Sequence, residues 1–242
     1  MKKTDLNRIE YPKGISGSDK AFVRRIINHV RDFINKNNLT KLAIACSAGL
    51  DSTCLADICH KVSIINGTKF CAIYVNHGLR PDENDKEIEL ISKLPISYLI
   101  ADGLVQHGTN LEARARDIRY SKFALVCSQM QYNSIFVAHN ADEDLETMIM
   151  RIADNRYNRI ESKNSFQRVV YGIKPHSIIN GLNVYRPLLS FTKDDLRRYN
   201  KIMGVAWLED SSNSSLQFER NVIRHKVMPT LKNIRANKAV CA

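Results

Sequence analysis

The chain has 242 residues, 44% of them hydrophobic and 25% charged, with a formal net charge of +11. That is enough chain for one substantial core, or a core plus a small appendage, and its balance is that of a globular protein. No uninterrupted apolar run approaches a membrane span, and the first residues, Met1 to Arg8, hold no apolar h-region. Membrane and secretory classes are therefore not expected, and the expected location is cytoplasmic.

The first element is a helix from Ser18 to about Asn35, with Phe22, Ile26, Val30 and Phe33 at helical spacing and Ser18 as N-cap. Short apolar runs then alternate with amphipathic ones. Leu42–Ala45, Phe70–Val75, Ser97–Ile100 and Ser134–Ala138 read as strands. Asp51–Ile65, Asp82–Leu94, Asn110–Met130 and Asp142–Ile152 read as helices. Continuous apolar strands separated by helices indicate an α/β fold, a parallel sheet with helices on both faces. In such sheets ligands sit beyond the carboxyl ends of the strands.

The alternation stops near Ile152, so residues 1–152 are expected to form the core. Residues 153–242 would form a basic loop and a small, mainly helical extension that completes it. Within this part, 153–175 read as a functional loop or a solvated linker. Val184–Leu189, a helix from about Thr192 to Met203, and a basic helix from about Phe218 to Met228 follow. Charge divides similarly, with 19 basic and 18 acidic side chains in residues 1–150 but 17 and 7 in residues 151–242. A neutral front and a basic back suit an enzyme followed by a surface that meets a polyanion; a plain solvated basic surface is the alternative. Six cysteines, none spaced as Cys-x-x-Cys, point to buried reduced thiols and away from zinc or iron–sulfur sites.

The most informative stretch is Ala45-Cys46-Ser47-Ala48-Gly49-Leu50-Asp51-Ser52. A strand breaks into a turn of hydroxyls and backbone N–H groups, and a helix starts there. Such a turn suits an anion, because unpaired amides and the positive end of the helix dipole point the same way. It is no Walker loop, since no Gly-Lys-[Ser/Thr] follows. Four further segments accompany it. Asn76-His77-Gly78-Leu79-Arg80 ends the second strand, suited to packing against a purine. On the helix expected over Asn110–Met130, Glu112, Arg116 and Arg119 share one face, fit for phosphate or for a surface salt bridge. His139-Asn140-Ala141-Asp142-Glu143-Asp144-Leu145-Glu146 follows the fourth strand. Asp142 and Glu146 lie one turn apart there, able to hold Mg²⁺, take a proton from an amine or complement the dipole. Finally, Arg186-Pro187-Leu188-Leu189 and Glu209-Asp210-Ser211-Ser212-Asn213 lead to Arg220-Asn221-Val222-Ile223-Arg224. Arg220 and Arg224 share a helix face suited to a phosphate backbone.

Ser47–Ser52 resembles the pyrophosphate loop of the N-type ATP pyrophosphatases (the PP-loop superfamily). The ordered set, over roughly residues 40–230, resembles the tRNA(Ile)-lysidine synthetase family. That resemblance implies an adenine nucleotide alpha hydrolase-like fold and a two-step ligation. ATP adenylates the C2 oxygen of the wobble cytidine of a minor isoleucine tRNA with anticodon CAU, and free L-lysine then displaces AMP.

It further implies that Ser47, Ala48, Gly49, Leu50, Asp51 and Ser52 hold pyrophosphate, with Asp51 acting through Mg²⁺, and that His77 lies by adenine. Arg116 would stabilise negative charge, Asp142 and Glu146 would bind or deprotonate the lysine ammonium, and Arg186 would position substrate. His139 would orient its helix start. On their own spacing, apart from the resemblance, Arg220 and Arg224 are expected to grip the RNA backbone, with a solvated basic helix as the alternative.

The chain departs from the family pattern in three places. Ala48 replaces a glycine, which at a glycine-like φ costs roughly 1 kcal/mol or more. Three polar positions between His139 and Glu146 differ, and Asp154–Arg159 replaces a Gly-rich segment. A diverged enzyme using another nucleophile, and an inactive tRNA-binding relative, are the competing expectations. The sequence assigns no oligomeric state.

Overall fold

The computed structural model describes residues 8–78, 81–105, 111–156, 158–162, 165–209 and 219–231. The chain divides into two compact units, one of residues 1–140 and 175–209, the other of residues 141–174 and 210–242.

The first unit opens with α1 (Gly17–Lys36). Its N-cap is Ser16, whose extended backbone lets the hydroxyl accept from the Asp19 N–H at 3.0 Å. Ser18, the expected cap, lies instead inside the first turn, where its own backbone is helical. The helix buries Val23, Ile26, Ile27, Val30 and Ile34, the stripe that the spacing marked. Then come β1 (Lys41–Ala45), α2 (Leu50–Asn66), β2 (Lys69–Asn76), α3 (Pro81–Ser92), β3 (Ser97–Asp102), α4 (Leu111–Gln129) and β4 (Ser134–Phe136). The Asn110 start expected for α4 lies outside the described residues. After the second unit's first segment the chain returns with β7 (His176–Ile179), β8 (Leu182–Tyr185) and α6 (Lys193–Met203). β5 and β6 belong to the second unit.

One six-stranded sheet runs through this unit in the order β3-β2-β1-β4-β8-β7. The first five are parallel, and only the edge strand β7 runs antiparallel, to β8. That hairpin lies outside the strands expected from apolar runs. Its turn is Asn180-Gly181, both at positive φ (50° and 78°), and an Asn-Gly pair is a strong hairpin signal.

Alternation along β1 sorts the core. Leu42 and Ile44 join α1, α2 and α6 on one face, while Ala43 joins α4 residues Tyr120, Phe123 and Cys127 on the other. The strand order reverses between β1 and β4, so the ligand crevice belongs beyond their carboxyl ends. The loop after Ala45 lies there.

The second unit contains α5 (Ala141–Ala153), an antiparallel hairpin of β5 (Asn158–Ser162) and β6 (Ser165–Val169), and α7 (Glu219–Val222), which continues as a π-helical turn over Ile223–Val227. The hairpin stands where a loop or linker was expected. Its strands carry so few apolar residues that no period-two pattern shows in the sequence. The expected helix start at Phe218 lies outside the described residues.

Candidate active site

The loop after β1 is held from several sides. Ser52 occupies its centre, accepting from the Ser47 N–H at 3.2 Å and donating to the Gly49 carbonyl at 3.0 Å. Gly49 caps α2 with φ −75°, and no side chain caps that helix end. The first N–H groups of a helix have no carbonyl one turn back, so this end is built to receive acceptors. Asp51 sits in that first turn, half-buried, and Ser47 is exposed.

Ala48 adopts φ +60° and is fully buried. The conformation is glycine-like, so the substitution carries the strain foreseen for it. A strap that the sequence did not announce supports it. Leu208 forms a parallel bridge with Gly49 and donates its N–H to the Ala48 carbonyl at 2.9 Å. From α6, the buried Asn200 donates its side-chain amide to the Leu50 carbonyl at 3.1 Å. Neither residue type advertises such a role; only the return of residues 193–208 to the loop reveals it.

At the end of β2, His77 Nδ1 contacts the Gly103 carbonyl at 3.1 Å and its Nε2 accepts from Arg119 Nε at 3.2 Å. A guanidinium can only donate, so the ring carries its proton on Nδ1. Burial, and then the Arg119 cation, hold His77 below the ordinary imidazole value. Gly78 sits at φ +67°, a conformation in which a side chain would be strained. Leu79 and Arg80, which close this motif, lie outside the described residues.

Arg116 is exposed and lies over the Tyr120 ring at 5.0 Å. The Glu112 side chain, expected on the same face, lies outside the described part of the structure. Arg186 is buried at the end of β8. It donates to His139 Nδ1 at 3.2 Å and to Ser177 at 2.9 Å, and also hydrogen-bonds Tyr120. Burial is the main influence lowering its proton affinity, opposed by the phenol of Tyr120. The first unit thus brings the loop, His77, Arg119, His139 and Arg186 to one sheet edge. Tyr120, to which the sequence pattern assigns no role, touches both Arg116 and Arg186.

Asp142 and Glu146 belong to α5 in the second unit. Asp142 is half-buried. Glu146 is sealed, with a side chain only 1% exposed. Its Oε2 accepts from Arg220 Nε at 2.9 Å and from Arg224 Nη2 at 3.1 Å, and its Oε1 from Arg224 Nε at 2.8 Å. Arg220 also donates to Thr147 and to the Glu143 carbonyl. Asp144 accepts from the Ile173 N–H, and a Cβ at Gly172 would lie against the Asp144 carboxylate. Asp210–Asn213, part of the motif expected before α7, lie outside the described residues. Among the described residues, no cluster of three His, Cys, Asp or Glu could hold a metal ion, and no helix is long and apolar enough to cross a membrane.

Residues 22–231 match the family model of the PP-loop domain. The chain belongs to the PP-loop domain family. PP-loop relatives include the tRNA(Ile)-lysidine synthase of Histophilus somni (strain 2336), 30% identical over 198 residues. That match covers 80% of this chain and 44% of the relative. The tRNA(Ile)-lysidine synthase of Mycoplasma mycoides is 31% identical over 198 residues, covering 78% of this chain and 46% of that protein. The chain thus spans a little under half the length of the curated relatives it matches. Among solved structures, the U34-tRNA thiolase NcsA from Methanococcus maripaludis superposes with a TM-score of 0.68 at 18% identity, covering 90% of this chain and 74% of that one. The fold is shared with that enzyme, and the α/β architecture expected from the sequence is the one observed.

Proposed function

We propose that this PP-loop chain carries out ATP-dependent attachment of free L-lysine to C2 of the wobble cytidine of a minor isoleucine tRNA. The products would be lysidine, AMP and pyrophosphate. The observation that carries the reading is the intact loop geometry at the sheet switch point, in a chain similar to lysidine synthases over about four-fifths of its length. The Ser47 hydroxyl and the α2 N-terminus would receive the departing pyrophosphate, with Leu208 and Asn200 keeping the loop in shape.

Mg²⁺ fits the donor set. It binds through one or two carboxylates plus substrate phosphates, and Asp51 is the acidic side chain of the loop. Bound there, it would screen carboxylate from phosphate and neutralise charge on the leaving group. Arg116 and Arg186 supply fixed positive charge for the phosphates or the adenylated base. His77 would lie by adenine, held in one tautomer by its two partners. Asp142 is assigned to the lysine ammonium, because an amine must shed a proton before it attacks. Glu146, its side chain 1% exposed and its oxygens held by Arg220 and Arg224, is too enclosed for that contact.

The test supplies Mg²⁺-ATP, labelled lysine and an isoleucine tRNA with a CAU anticodon. Label fixed in RNA only with ATP and that cytidine supports the assignment. Pyrophosphate release without lysine incorporation would overturn it in favour of another nucleophile. Absence of both would indicate an inactive RNA-binding relative.

A further inference from the structure

The second unit holds an arrangement that none of these assignments uses. Two guanidiniums, Arg220 and Arg224, meet on one carboxylate, Glu146, that solvent does not reach. Both oxygens of that carboxylate already accept from guanidinium N–H groups, so a lysine ammonium would have to displace an arginine to reach it. The arginines differ from Glu146 in exposure, with side chains 32% and 23% exposed. The buried acid binds Arg224 through both Nε and Nη2, and Arg220 through Nε. Thr147 and the Glu143 carbonyl fix Arg220 further. Side-by-side cations repel, and a carboxylate wedged between their inner nitrogens lets them stand together. Such a pair is prepaid in conformational entropy, and it presents partly exposed positive charge to a phosphate.

We propose that Glu146 is a positioning residue, holding Arg220 and Arg224 as a preformed pair that binds a phosphate of the RNA backbone. This rests on the reading that the chain binds tRNA, not on its joining lysine to it.

The experiment titrates the full chain with a transcribed CAU isoleucine tRNA across a range of salt, comparing wild type with Arg220→Gln, Arg224→Gln, Arg224→Lys and Glu146→Gln. Each glutamine replacement of an arginine should make log Kd against log salt shallower by about 0.7–0.9. Arg224→Lys should keep the slope but lose affinity, since an ammonium cannot fork onto the carboxylate. Glu146→Gln should weaken binding about tenfold while leaving the KM for lysine within twofold. Unchanged slopes in both arginine-to-glutamine variants would overturn the proposal and leave the trio an internal anchor. A Glu146→Gln chain with normal tRNA affinity and a lysine KM raised tenfold would also overturn it, making Glu146 the amine ligand. If Glu146→Gln melts early by circular dichroism, the partly exposed arginine variants decide alone. A wild type that binds tRNA with steep salt dependence yet fixes no lysine defeats the lysidine reading, and the slopes still judge this one. A wild type without salt-dependent binding defeats the proposal outright.

Discussion

Ala48 shows how a costly conformation is carried by its surroundings. A left-handed backbone costs an L-residue roughly 1–2 kcal/mol. Replacing Ala48 with glycine would remove that strain but add about 0.4–1 kcal/mol of unfolded-state entropy. It would also delete a fully buried methyl worth about 0.8 kcal/mol. Ala48→Gly should therefore shift stability by less than about 1 kcal/mol, whereas Ala48→Val, β-branched at positive φ, should cost clearly more. Urea denaturation of both variants measures this, and a large loss in the glycine variant would refute the balance. Asp51→Ala should lower stability by no more than about 1 kcal/mol, the worth of a first-turn acid on the helix dipole, while abolishing AMP formation. Near-normal turnover would remove Asp51 from the site. His77 gives a pH dependence whose sign follows from its environment. Because folding lowers its proton affinity, the unfolded chain binds protons more readily, so stability falls as pH drops below about 6.5. The buried surroundings of His60 act in the same direction. His77→Gln should flatten part of that acid-side decline in thermal melts, and an unchanged decline would show that His77 does not contribute.

At the scale of elements, α6 matters most, because it links the sheet to the strap on the loop. A capping box at Thr192 and Asp195 starts it, and Gly204 at φ +69° ends it, so both ends are legible in the sequence. What fastens it to α2 is not. Tyr199 donates to Asp57 at 2.7 Å, and Lys61 pairs with the same carboxylate at 2.5 Å, all three largely buried. Tyr199→Phe should cost about 1–3 kcal/mol by depriving a buried carboxylate of a donor. A melt within experimental error of wild type would mean that Asp57 is satisfied without it. The β7–β8 hairpin and β5–β6 hairpin make a related point. The first is marked in the sequence by its Asn180-Gly181 turn and not by apolar runs. The second, with only Ile160, Phe166 and Val169 apolar in its strands, carries no periodic signal.

For the whole molecule, the five described cysteines are free and buried, on or beneath the sheet faces. Burial raises the thiols of Cys46, Cys54, Cys59 and Cys71, and pushes Cys127 up to about 12. A thiol reagent should therefore modify them only as fast as the chain opens, and rapid labelling at any of these five in the native protein would contradict this packing.

The sequence by itself determined the alternating α/β order, the anion loop between β1 and α2, and the candidate residues at the strand ends. These follow from local physics: apolar periodicity, a helix start, and side chains a few residues apart. The tertiary structure alone decided which of them meet. Leu208 and Asn200 reach the loop from about 150 residues away in sequence, and His77 finds Arg119 from the next helix but one. Glu146, which by its chemical type suited an amine, lies buried under Arg220 and Arg224, more than seventy residues further along. A carboxylate's role depends on what surrounds it, and long-range packing sets those surroundings.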